Sequence, residues 1–83
     1  MPTPEEPRLD DIDNPDVAFG RFRGREAYGM LLDKFGHPPT TTIEMAAHEA
    51  VVIAARYSGK WGEVDLDLAA NALIHKLTEE MLE

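Results

Sequence analysis

This 83-residue chain predicts an all-α fold, a small three-helix bundle behind an extended or disordered acidic N-terminal arm. Three observations carry that expectation. Apolar residues recur at helical spacing in three segments, caps or helix breakers bound those segments, and residues 1–16 concentrate acid and proline.

The arm comes first. Residues 1–16 hold four of the six prolines and six acids, with Leu9 and Ile12 as the only large apolar side chains after Met1. So little apolar surface does not offset the entropy of ordering a chain. Met1-Pro2-Thr3-Pro4-Glu5-Glu6-Pro7 lacks the basic start and apolar run of a secretory signal, so a cytoplasmic location is expected. Asn14-Pro15-Asp16 then reads as a turn or a helix start.

Residues 17–83 form the expected three-helix domain. In the first segment, Tyr28, Leu31, Leu32 and Phe35 fall on one helical face, Gly36 suits a C-cap, and His37-Pro38-Pro39 forbids continuation. Gly20, Gly24 and Gly29 each weaken a helix by up to about 1 kcal/mol against alanine. Helix is therefore expected from about Arg25 to Phe35. Before Gly24, helix, extended chain and turn all fit.

Thr41 and Glu44 make a capping-box pattern ahead of the second helix, Ile43 to Tyr57, which ends at Ser58-Gly59. Ile43, Ala46, Ala47, Ala50, Ile53, Ala54 and Tyr57 share one arc of its wheel. Met45 and Val52 interrupt the polar side, so the helix is apolar over more than one face. A loop over residues 58–64 carries Trp61, the one tryptophan. The third helix is capped by Asp65, with Asp67 in its first turn. Its stripe is Leu66, Ala70, Leu73, Ile74, Leu77 and Met81.

Composition narrows the function. With no cysteine, disulfides and thiolate metal sites are excluded, and one small core must hold the fold, so self-association as a homo-oligomer is expected. A formal charge of -8 repels phosphate backbones and anionic lipid, and no apolar run nears the ~20 residues of a membrane span. The charge is uneven: residues 1–16 carry a net -5, residues 17–59 a net +1, and residues 60–83 a net -4. Any anion-binding surface belongs in the middle third.

Two carboxylate–imidazole pairs stand at i, i+4 spacing, Glu44 with His48 and His75 with Glu79. They would make half of a bundle metal site, but each projects from a polar face, where a solvated pair is the commoner reading. No metal or cofactor is expected. Phe19-Gly20-Arg21-Phe22-Arg23-Gly24-Arg25 interleaves bases and aromatics, as nucleic-acid patches do. In so acidic a chain, Arg21, Arg23 and Arg25 are expected to meet carboxylates or another anion, with Phe19 and Phe22 covering the core.

Ala46, Ala50 and Ala54 form a row of small residues that lets helix axes approach, within the chain or between chains. Those three, with Met45, Val52 and Trp61, are the candidate partner surface. Trp61 also suits a lid over a small core. Ser58 is the sole serine and no nucleophilic setting surrounds it, so catalysis is not expected.

The expected function is a noncatalytic protein–protein interaction module, an adaptor, inhibitor or small accessory subunit, self-associating through the second helix. One alternative is an acidic nucleic-acid mimic that blocks a basic groove, a role the compact length suits if the protein is phage-encoded. Another is a small helical nucleic-acid-binding regulator. The seven-residue connection before the third helix, and Lys76 as that helix's only base, speak against the regulator.

Overall fold

Asn14 starts the helical domain by capping it. In the computed structural model, which describes residues 8–35 and 42–82, its side-chain oxygen accepts from the backbone N–H of Asp16 at 2.9 Å and of Val17 at 3.4 Å. Pro15 follows at the first helical position, where its missing N–H breaks no helical hydrogen bond. The chain then stays helical in three consecutive parts: α1, Pro15–Ala18; a π-helical stretch, Phe19–Gly24; and α2, Arg25–Phe35. The region before Gly24 is thus helix. Next come α3, Ile43–Tyr57, and α4, Leu66–Leu82, and no strand occurs among the described residues. The fold is an all-α three-helix bundle, with α1, the π stretch and α2 as one continuous first helix.

The ends follow from local chemistry. Thr41, Gly36 and His37-Pro38-Pro39, where a cap and a stop were expected, lie outside the described residues. The α3 cap is Thr42, whose hydroxyl accepts from the Met45 N–H at 3.2 Å. At the other end Gly59, with φ 71°, takes the left-handed conformation that glycine adopts without strain. That lets the Lys60 N–H reach Ala55 O at 2.8 Å and the Gly59 N–H reach Arg56 O at 3.3 Å, a Schellman closure. Asp65 caps α4 by accepting from the Leu68 N–H at 3.1 Å. In the arm, residues 8–14 are turned rather than extended: the Asp11 N–H donates to Arg8 O at 3.2 Å and the Asn14 N–H to Asp11 O at 3.0 Å.

The first helix runs beside α4 in the same direction. The Asp65 N–H donates to the Asp16 carboxylate at 3.3 Å, Gly20 lies on Ala69, and Arg25 reaches Glu80. Gly20 makes this approach possible. A Cβ there would stand 2.0 Å from the Ala69 carbonyl oxygen, so two backbones touch with no side chain between them. At Gly24 a Cβ would meet the Val51 methyl at 3.1 Å. The glycines that weaken the helix locally therefore let it pack.

The core is unusual in what fills it. Among the described residues, nine of fourteen buried apolar residues are alanine, and the largest fully buried side chains are Leu73, Val17 and Val51. Tyr28 and Leu77 join this core, and Phe19, Leu31, Leu32, Ile43, Leu66 and Ile74 pack against it. The buried side of α3 is Ala46, Ala47, Ala50, Val51, Ala54 and Ala55. It is turned from the expected arc toward Val51 and Ala55, which leaves Tyr57 86% exposed. On α4, Ala69 and Ala72 are buried while Met81, expected in the stripe, is exposed. The alanine face of α3 is the one that packs, and Met81 stands in the last turn of α4, next to its end.

Candidate functional site

Two surfaces gather the functional side chains, one tied shut and one open. The tied surface joins the first helix to the last two turns of α4. Arg21 is its hub, with a side chain only 10% exposed. Its Nη1 donates to Leu9 O at 3.1 Å and to His75 Nδ1 at 3.0 Å, and its Nη2 donates to the Glu79 carboxylate. One guanidinium thereby holds the arm, the imidazole and a carboxylate together. One turn on, Arg25 grips Glu80 through two bonds, Nε to Oε2 at 2.8 Å and Nη2 to Oε1 at 3.0 Å, and its guanidinium carbon lies 5.9 Å from the Tyr28 ring centre.

The electrostatics follow from the pairing. The Arg25 guanidinium beside it holds the Glu80 carboxyl below its ordinary value, and Glu80 in turn raises Arg25. Both glutamates sit near the C-terminus of α4, where the helix dipole disfavours negative charge, so the arginines offset that cost as well. In the arm, Arg8 lowers Asp10 through a hydrogen bond. Arg23 pairs with Glu26 in the open, 3.3 Å apart. Arg21, Arg23 and Arg25 all meet carboxylates of this chain.

The open surface is a groove of about 710 Å³ between the first helix and α3. Ala27, Met30 and Leu31 line one wall, and Ile53, Ala54 and Tyr57 the other. Charged residues stand around it: Arg23, Glu26 and Lys34 on the first helix, Glu49 on α3. Met30 is 63% exposed and Tyr57 86%, so its largest apolar side chains face outward.

The expected partner surface maps onto this arrangement unevenly. Ala46 and Ala50 are fully buried in the chain's own core, and Ala54 nearly so, where it floors the groove. The small-residue row thus serves packing within the chain. Of the three, Ala54 alone also borders the groove. Met45 is exposed and Val52 half-buried, and neither lines the groove. Trp61 is 53% exposed and does not pack the core as a lid; the Arg56 guanidinium lies 5.0 Å from its ring centre. Phe19 packs on the core, whereas Phe22, expected to do the same, is exposed.

The two carboxylate–imidazole pairs stay apart in role. His48 Nε2 lies 3.9 Å from Asp67, and His75 stands between Arg21 and Glu79. Among the described residues, no group of three His, Asp or Glu is placed to hold a metal, and no helix is long and apolar enough to cross a membrane. Sequence reasoning missed Met30, Leu31, Ile53 and Tyr57 as one surface. The available signal was Met30, an apolar residue beside the Tyr28–Leu31–Leu32 stripe rather than in it.

Compared with known proteins, the chain matches no family model, no curated protein and no solved structure.

Proposed function

We propose that this protein is a noncatalytic interaction module, an adaptor, inhibitor or small accessory subunit, that seats another polypeptide in the groove between α2 and α3. The carrying observation is an inversion of size. Alanine fills the core, while Phe22, Met30, Met45, Tyr57 and Trp61 are all more than half exposed. Single exposed apolar residues are ordinary, but two of these, Met30 and Tyr57, flank one apolar groove, as residues of a contact surface do. Tyrosine and methionine are also favoured where chains meet. The absence of cysteine fits a module working in the cytosol.

A second reading keeps one supporting observation. Asp11 and Asp13 of the arm and Asp67 in the first turn of α4 are exposed carboxylates, as an acidic mimic requires. Glu79 and Glu80, which such a mimic would also present, are engaged by Arg21 and Arg25.

Capture from the native host separates the readings. Wild type and Ile12→Glu, an exposed position in the arm, should recover the same bound protein, and Tyr57→Glu and Met30→Glu should lose it. Recovery undiminished by both groove variants contradicts the groove reading. A basic protein lost steeply with salt, and indifferent to the groove, supports the mimic instead.

A further inference from the structure

We infer that the Arg21 hub is a pH-sensitive latch on the N-terminal arm: neutral His75 keeps residues 8–13 tied to the first helix, and protonation of His75 releases them. The latch lies on the tied surface and is independent of what the groove holds. A guanidinium carries donors and no acceptor. The 3.0 Å contact between Arg21 Nη1 and His75 Nδ1 therefore requires a bare Nδ1, with the ring proton on Nε2. Neutral histidine meets that demand. Histidinium does not, because both of its ring nitrogens carry protons.

The arm depends on this contact because it has few others. Among the described residues, 8–13 hydrogen-bond to one another and to Asn14, and beyond that only through Leu9 O, which accepts from Arg21 Nη1 at 3.1 Å. Leu9 is half-buried, and residues 10–13 are exposed. The same Nη1 serves Leu9 and His75, so moving Arg21 off the ring moves it off the arm.

The charges around the ring set the direction of the response. The first helix supplies Arg21, with its side chain only 10% exposed. From α4 come Glu79, whose Oε2 lies 3.8 Å from Nδ1, and Lys76, next in sequence to the histidine. The arm supplies Asp10, whose carboxyl is held below its ordinary value chiefly by the Arg8 hydrogen bond and least by a charge on His75. On α3, His48 lies beside Asp67 instead. A charged ring attracts Asp10, but that carboxylate is solvated and already paired with Arg8 through two bonds at 3.2 Å. Glu79 is the stronger neighbour. A protonated Nδ1 donates to it, competes with Arg21 for the same carboxylate, and sets an N–H against the guanidinium. Arg21 is displaced on both counts.

NMR relaxation of the full chain at about pH 7.5 and about pH 5 is the test, since histidines gain their charge in that range while carboxylates ordinarily keep theirs. His75→Gln runs alongside, because its amide oxygen is an acceptor at both values. In the wild type, backbone order parameters of residues 9–13 should be near those of the helices at the higher pH and fall below about 0.6 at the lower one. In His75→Gln they should be the same at both. Side-chain nitrogen shifts of His75 at the higher pH should show a bare Nδ1. A wild-type arm equally ordered, or equally mobile, at both pH values overturns the latch. An equal fall in His75→Gln, or a proton on Nδ1 at the higher pH, overturns His75 as its sensor.

Discussion

The first helix presents two faces that the chain treats in opposite ways. Toward α4 it offers Gly20, so its backbone rests on Ala69, and Arg21 and Arg25 then pin Glu79 and Glu80 across the contact. Toward α3 it closes only in part, and beyond the alanine floor Met30 and Tyr57 stand in solvent at the mouth of a groove. One contact is complete within the monomer, with small residues inside and ion pairs outside. The other has large apolar walls and nothing yet between them. A single helix can thus be satisfied on one side and unfinished on the other, and the unfinished side is the proposed contact surface.

Substitutions on the closed side should cost most. Gly20→Ala drives a methyl into the Ala69 carbonyl, which cannot move without shifting α4, so a loss of about 3 kcal/mol or more is expected in urea unfolding. A loss below about 0.5 kcal/mol would break the claim that this contact is backbone on backbone. Gly24→Ala, at the junction with α3, gives the contrast. Its neighbour is a side-chain methyl of Val51, and the gain in helix propensity offsets the crowding, so a change within about 1 kcal/mol is expected.

Next comes Arg21→Met, which leaves Leu9 O, His75 and Glu79 without their shared donor. A loss of about 1–2 kcal/mol should appear, with faster amide exchange in residues 8–14 as the arm is released. Equal exchange in both proteins would show that Arg21 does not hold the arm.

The Arg25–Glu80 pair is smaller and depends on pH. Because the folded state holds the Glu80 carboxyl below its ordinary value, the contribution is full above the unfolded glutamate value of about 4.3 and is lost as pH falls through the folded one. Both side chains are about a third exposed, 34% and 33%, so less than about 1 kcal/mol is at stake. Glu80→Gln should flatten that acid limb of stability against pH. An unchanged limb would mean that the pair contributes nothing.

On the open side, Tyr57→Glu should alter monomer stability by no more than about 0.5 kcal/mol, since the side chain packs on little of its own chain. The measurement is denaturant unfolding. A large loss there would make Tyr57 part of the fold rather than of a contact surface.

Much of the closed side was legible from sequence. Asn14-Pro15, Asp65 and Ser58-Gly59 mark helix ends through local backbone chemistry, which short-range spacing reports well. Gly20 was legible only as a helix-weakening residue, because its purpose depends on Ala69, 49 positions away. The groove was harder still. Ile53 and Tyr57 share a wheel arc with Ala46 and Ala50, and periodicity cannot say that alanine contacts draw the helices together and turn that arc partly outward. Hydrophobic spacing marks a core-facing side. Which edge of that side stays open depends on how close the neighbouring helices come.

The unfinished face can be watched directly through the methionines. The exposed Met30 borders the groove, while Met45 and Met81 are exposed away from it. With their methyl groups labelled, spectra should be followed as the protein captured from the host is added, in the presence of a soluble paramagnetic agent. The account predicts that the Met30 methyl shifts and becomes shielded while those of Met45 and Met81 do not. Shielding of Met45 or Met81 instead, or no change at Met30, would contradict it.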